Sequence, residues 1–420
     1  MSVAQDPSAL DSIPASVTAA PVEFNPLSAE FRANPHSSYR LLREHDPVHW
    51  SPFLGLWVLT RYADCVAVLR DAKRFSADPR DLAIYEMLMQ GVGENRPLMQ
   101  MQQKWMLLLN PPDHTRLRTL VTKAFTPRVV ENLRPRIQEI VDDLLDKVQD
   151  TGRMDVIAEL SYPLPVIVIA GMLGVPVEDR DKFKAWTTDL ARTLDPIVSP
   201  EVLDAGDAAT VAFTDYFKAL VTKRRQDPQE DVLSALIAAE EQGDRLTEEE
   251  LIATAVLLLG AGHETTMNLI GNGLLALFCH PDEKDKLKVD LSLIPSAIEE
   301  FLRFDGPVQM TGRTALEDVE IRGKTIAKGQ QAVIVLTAAN RDPAHFTNPD
   351  TLDIARKDNP HIAFSHGIHY CLGAPLARAE AQIAMETLLR RFPNLRLLTE
   401  ELEWRETVTL RGLKALPVAF

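Results

Sequence analysis

The stretch Phe364-Ser365-His366-Gly367-Ile368-His369-Tyr370-Cys371-Leu372-Gly373 constrains this chain more than any other. It carries a lone cysteine, two loop glycines, an upstream aromatic ring and a nearby histidine, and it runs straight into a long helical pattern. That combination suits a thiolate presented from a tight loop to one face of a flat cofactor. Gly367 permits backbone conformations that other residues resist, and Gly373 permits close approach. Backbone N–H groups at the start of the following helix, with its positive dipole end, would hold the sulfur ionised. Phe364 is placed to stack on the cofactor and His369 to reach an anionic edge. A single cysteine before a helix is more often buried and inert. The spacing of the whole set argues against that here.

Three further clusters break local rules. Ala261-Gly262-His263-Glu264-Thr265-Thr266 interrupts the middle of the longest apolar helical pattern, which opens at Thr247 with Glu250 three residues on, a capping box. A glycine and two threonines cost helix propensity there, and a mid-core acid costs desolvation. Such violations mark function, and hydroxyls can divert backbone hydrogen bonds and open a local groove. Asn110-Pro111-Pro112-Asp113-His114-Thr115-Arg116-Leu117-Arg118 opens another helix, with His114 and Arg118 on one face. Glu300 and Arg303 share a helix face as well. Alone, such a pair is an ordinary solvated contact of little energy.

Together these segments resemble the cytochrome P450 family over about residues 27–420. Phe-x-x-Gly-x-x-x-Cys-x-Gly is similar to that family's haem-ligand loop, and Ser365 stands where many members have glycine. The resemblance implies a mainly α fold, a large helical portion with a small β-rich portion. Haem b would lie between the long central helix and the cysteine-loop helix, with Cys371 as axial iron ligand. A thiolate ligand favours O–O cleavage. By the same likeness, Ala261, Glu264 and Thr265 form the oxygen-activation motif, the acid–alcohol pair delivering protons. His114, Arg118, Arg313 and His369 would bind the haem propionates, a task that suits bidentate arginine. Arg356, in a segment similar to the family's irregular meander, would complete a buried cluster with Glu300 and Arg303. Residues 84–98, 166–194, 256–265, 308–310 and 408–410 are the expected pocket wall, with Val308, Gln309 and Val408 as candidate substrate contacts. Five methionines between Met87 and Met106 suit an adaptable pocket or lid, or plain core filling.

The resemblance implies a monooxygenase that hydroxylates or epoxidises an apolar small molecule with dioxygen. Macrolides, steroids, terpenoids and fatty acids all fit, and secondary metabolism is the expected setting. Three cysteines are too few for a fused iron–sulfur domain, so two electrons must come from outside. A ferredoxin with its reductase, or a flavodoxin, is the expected donor, with Lys123 and Arg128 as docking candidates. A peroxide-driven peroxygenase is an alternative against which the Glu264–Thr265 pair speaks. A non-catalytic haem-binding or sensor protein is another, against which the lack of an output module speaks.

The formal net charge of −15 argues against nucleic acid or an anionic membrane surface as a general partner, though it leaves room for a local basic docking patch. The strongest apolar run, 251–262, is too short to span a bilayer. Cys65, Cys279 and Cys371 form no disulfide framework and fit the reducing cytoplasm. Residues 1–26 lack a basic n-region and read as a flexible lead-in. One domain over 27–420 follows, since no linker, repeat or composition break divides it. Helical spacing covers 35–44, 62–70, 113–124, 129–149, 156–173, 178–193, 202–225, 231–241, 247–279, 296–303 and 374–391. Pro163 and Pro165 break the 156–173 pattern. Strands are expected at 48–50, 56–59, 309–314, 319–321, 331–336 and 408–413.

Overall fold

In a computed structural model, the structure describes residues 24–93, 95–241, 246–399 and 401–420. Most of the lead-in expected over 1–26 therefore lies outside the described residues. Packing is already established at Phe24, which is buried and meets Phe31 edge-on at 5.5 Å.

The central helix Glu248–Cys279 organises everything else. It starts where the capping box places it: Thr247 Oγ1 accepts from Glu250 N at 3.2 Å, and Glu250 Oε2 accepts from Thr247 N at 2.9 Å. Three glutamates in its first turn complement the helix dipole. Helices Pro163–Met172, Phe183–Arg192, Pro200–Gln226, Ile294–Asp305 and Ala374–Arg391 pack around it. Because it is apolar nearly all round, it is buried nearly all round. Helix 156–173 does break: a π turn, Ile157–Ser161, precedes a helix opening on Pro163. Pro165 sits inside that first turn, where its missing N–H costs nothing.

The β portion is a five-stranded sheet in the order Val48–Ser51, Leu56–Leu59, Gln331–Val335, Met310–Ala315 and Phe75–Ser76. Smaller sheets join Arg153–Asp155, Pro417–Ala419 and Arg396–Leu397, and Val319–Ile321 with Lys324–Ile326. The strand expected at 408–413 does not form. Only single bridges occur there, Val308 to Leu410 and Trp404 to Leu413. The methionine-rich stretch is two short helices, Tyr85–Val92 and Pro97–Gln102, parted at Gly93 with φ +96°. Among the described residues no helix is long and apolar enough to cross a membrane.

Candidate active site

Cys371 closes a loop whose geometry its own backbone dictates. Cys371 N donates to Phe364 O at 3.0 Å, and Tyr370 N to Gly367 O at 3.1 Å. Gly367 has φ +71°, and a Cβ there would collide with Leu69 O. Ser365 also stands left-handed, at φ +62°, which is why glycine would suit its place. Gly373 needs no such licence within the chain: a Cβ would meet only Cys371 Sγ, at 4.0 Å. Phe364 carries the Arg378 guanidinium over its ring at 4.5 Å, and Arg378 in turn pairs with Glu299 at 2.7 Å. Desolvation raises the Cys371 thiol pKa; the Gly373 and Ala374 amides, Arg118 and Arg378 pull it back only in part. A bound metal cation would favour the thiolate further.

Beside the thiol four basic side chains converge. The His114 and His369 rings are 4.3 Å apart. Among the described residues, neither ring nitrogen of buried His114 has a hydrogen-bond partner. Arg313 is buried, and among the described residues its Nη1 bonds only to Thr311 Oγ1 and Gly312 O, at 3.3 and 2.7 Å. Arg118 Nη2 donates to Tyr370 O at 2.6 Å, next to Cys371. Desolvation, then the two arginines, holds His114 down to about 4; desolvation, Arg313, His114 and Arg118 hold His369 down to about 2. No carboxylate contributes to any of the four among the described residues. Two arginines with no acid partner among the described residues, beside neutral histidines with unpartnered ring nitrogens, suit an anionic occupant. The two propionates of a haem would suit that role, and Cys371 would then face the iron. Among the described residues no group of three or more His, Cys, Asp or Glu converges on a point.

A charge-assisted contact of this type contributes about 1.5–3 kcal/mol. Arg313→Ala should therefore speed haem transfer to apomyoglobin by about 10- to 100-fold. Unchanged transfer rates in both Arg313→Ala and Arg118→Ala would remove the propionate role.

The polar interruption leaves the central helix unbroken. Thr265 Oγ1 bonds back to Ala261 O at 2.8 Å, so its hydroxyl shares the carbonyl rather than displacing it. Ala261 is exposed although the helix around it is buried, so one face opens there. Glu264 is buried and faces Arg405, Oε1 to Nη1 at 3.4 Å. Burial raises the Glu264 pKa, Arg405 lowers it and Asp195 raises it; the net shift is upward. Arg405 and Asp195 carry no motif and went unnoticed in the sequence. Only an unpaired acid in an apolar helix hinted that a cation was needed.

Glu300, Arg303 and Arg356 come together as a closed unit. Arg303 grips both Glu300 oxygens at 2.7 and 2.8 Å, and Arg356 Nε adds a contact at 3.0 Å. Asp353 N and Asn359 Nδ2 complete the acid's shell at 2.9 and 3.2 Å. Arg303 also donates to Asn340 O at 3.0 Å, and Asn340 Oδ1 accepts from Ile362 N at 2.8 Å. Through Asn340 the cluster reaches the base of the cysteine loop.

Of the pocket candidates, Val308 is bridged to Leu410 and Val408 is buried. Gln309 is fully engaged inside the protein: Nε2 donates to Gly306 O at 2.8 Å and Oε1 accepts from Thr337 Oγ1 at 3.1 Å. A cavity of about 690 Å³ lies elsewhere, lined by Ile137, Ile167, Met172 and Val232.

Comparison with known proteins gives consistent relatives. The family model for Cytochrome P450 matches residues 14–401. The biotin biosynthesis cytochrome P450 of Bacillus subtilis (strain 168) is 45% identical over 395 residues, 94% of this chain and 98% of that protein. The vitamin D(3) 25-hydroxylase of Pseudonocardia autotrophica is 44% identical over 397 residues, 93% of this chain and 95% of that protein. The solved structure of P450BioI in complex with hexadec-9Z-enoic acid-ligated acyl carrier protein superposes with a TM-score of 0.87 at 44% identity. That match covers 94% of this chain and 100% of the other.

Proposed function

The chain belongs to the cytochrome P450 family and is a haem-dependent monooxygenase of bacterial type, and on that premise we propose the roles of its residues. Cys371 ligates the iron of haem b. His114, Arg118, Arg313 and His369 hold the propionates, and Phe364, Gly367, Gly373 and Ala261 shape the bed. The observation that carries this reading is the carboxylate-free cluster of four bases beside the one loop cysteine.

A thiolate-ligated haem supplies dioxygen activation. The chain's residues supply position and protons. One oxygen atom enters the substrate; the other leaves as water, taking up two electrons and two protons. Thr265 presents its hydroxyl on the exposed face of the central helix, anchored to Ala261 O. Glu264, buried and shifted toward neutrality, stores the proton that Thr265 passes on. Glu300, Arg303 and Arg356 keep the loop in place.

The substrate is an apolar small molecule, contacted at Val308 and Val408. The acyl chain and the vitamin named for relatives support an elongated apolar shape. Electrons come from a separate ferredoxin with its reductase, or a flavodoxin, docking near Lys123 and Arg128. Residues 27–420 act as one catalytic domain, and the three free cysteines fit the reducing cytoplasm.

Thr265→Val tests the relay, because it keeps shape and deletes the donor. Haem binding and first reduction should stay as in the parent. With redox proteins and hexadec-9Z-enoic acid as probe, NADPH use should continue while hydrogen peroxide replaces water and product. General acid–base contributions of about 10²–10⁴-fold bound the loss of coupled turnover. Parental coupling in Thr265→Val would sink the relay and favour the peroxide-driven reading.

A further inference from the structure

The turn at 404–413 is tied to itself, to the central helix and to the segment after helix Phe183–Arg192. Trp404 bridges Leu413, and Arg405 N donates to Gly412 O at 2.9 Å. Gly412 lets the turn lie on the helix: a Cβ there would collide with the Asn268 amide. Asn272 Nδ2 adds a bond to Arg411 O at 3.0 Å. From this turn Arg405 reaches Glu264 at 3.4 Å, while its Nε donates to Leu413 O at 3.4 Å and its Nη2 lies 3.7 Å from Met267 Sδ.

The other edge of the turn is held more tightly. Asp195 accepts from Val408 N at 3.0 and 3.1 Å and from Thr409 N at 2.8 Å. Thr409 Oγ1 donates to Leu194 O at 3.1 Å. Two backbone amides held on the Asp195 carboxylate outweigh one long contact, so Asp195 sets the turn's stance and Arg405 follows it.

Resting on the proton role proposed for Glu264, we propose that Arg405 is the positioning residue for that acid and that Asp195, by gripping Val408 and Thr409, sets where Arg405 stands. The physical need is plain. A buried carboxyl with no partner stays protonated and free to turn. A guanidinium at one oxygen fixes its rotamer and makes the ionised form reachable, so the acid can both give and regain a proton. Asp195 follows a helix expected to line the pocket, so a substrate that moves 194–195 moves Arg405 with it.

The test uses the full-length, haem-loaded protein with separate redox proteins and hexadec-9Z-enoic acid as probe. Arg405→Gln, Arg405→Lys and Asp195→Asn are compared in the parent and in Glu264→Gln. Each variant is first checked for the reduced carbon-monoxide band. Readouts are NADPH consumption, peroxide release, the solvent deuterium isotope effect and amide exchange over 404–413. Arg405→Gln should slow NADPH consumption about tenfold, below the range of direct proton donors, and change the isotope effect. Arg405→Lys should recover most of it. Asp195→Asn should act in the same direction and speed exchange at 408–409. In Glu264→Gln, adding Arg405→Gln should change nothing more. Additive losses in the double variant, or an unchanged isotope effect in Arg405→Gln, would overturn the proposal while leaving Glu264 in its role. A Glu264→Gln variant that consumes NADPH like the parent would overturn both together.

Discussion

Cys371→Ser is expected to abolish monooxygenase activity and to remove the strongly red-shifted band of the reduced, carbon-monoxide-bound protein. The fold should survive, because the loop is held by backbone: Cys371 N to Phe364 O, Tyr370 N to Gly367 O, and Ile362 N to Asn340 Oδ1. None of these uses the sulfur. The cation cluster is also left intact, so the variant should still take up haem, more weakly. A serine hydroxyl does not ionise as a thiol does, so the variant would lose the electron-rich sulfur that would hold the iron. The other cysteines are the controls. Cys65 is buried, its Sγ directed at Leu59 O at 3.5 Å, and desolvation raises its pKa well above the usual thiol value. Cys279 is exposed at the far end of the central helix. Serine at either position should leave the band where it is. A band that persists in Cys371→Ser, or that vanishes in Cys65→Ser, would reassign the ligand.

The largest stability loss should come from Arg303→Ala. Arg303 and Glu300 have no exposed side-chain surface, and Arg303 donates to three backbone carbonyls besides the carboxylate. Removing it leaves a buried acid with, among the described residues, Arg356, Asp353 N and Asn359 as its remaining hydrogen-bond partners. Breaking a buried pair this way costs about 3–5 kcal/mol. Arg136 with Glu139 has the same i, i+3 spacing but lies in solvent, with more than half of each side chain exposed. There the pair is worth about 0–1 kcal/mol, so Arg136→Ala should be near neutral. Arg303→Lys should not rescue, since a single ammonium cannot grip both carboxylate oxygens and the carbonyls. Denaturant unfolding of the haem-loaded protein measures all three. Haem occupancy should fall with stability, because Arg303 reaches the cysteine loop through Asn340. Equal stability of Arg303→Ala and Arg136→Ala would refute the buried-cluster account.

These contrasts show what a local pattern can and cannot carry. The spacing Glu-x-x-Arg is identical at 300–303 and at 136–139 in reverse order, yet one is core and the other surface. The difference is the company that distant segments bring. Similarly, helix Pro281–Val289 escaped notice: it is short and mostly polar, with one buried leucine to mark a face. Its proline at the first turn and its Glu283–Lys286 and Asp285–Lys288 pairs were the available signals.

The chain by itself determined its long helices, their caps and its chemistry-bearing loop. Apolar residues at helical spacing, Thr247 with Glu250, and the glycine at φ +71° act within a few residues of themselves, so the sequence displays them directly. Tertiary structure alone decided which charges meet. Arg405 finds Glu264 across 141 residues, and Asp195 finds Val408 across 213. It also decided that 408–413 is no strand. Its neighbour at 307–309 begins with a proline that cannot donate back to Arg411, and Asp195 takes the Thr409 amide that would have faced Gln309 O. A strand or an ion pair needs a partner brought by the fold, whereas a helix closes its bonds on its own neighbours.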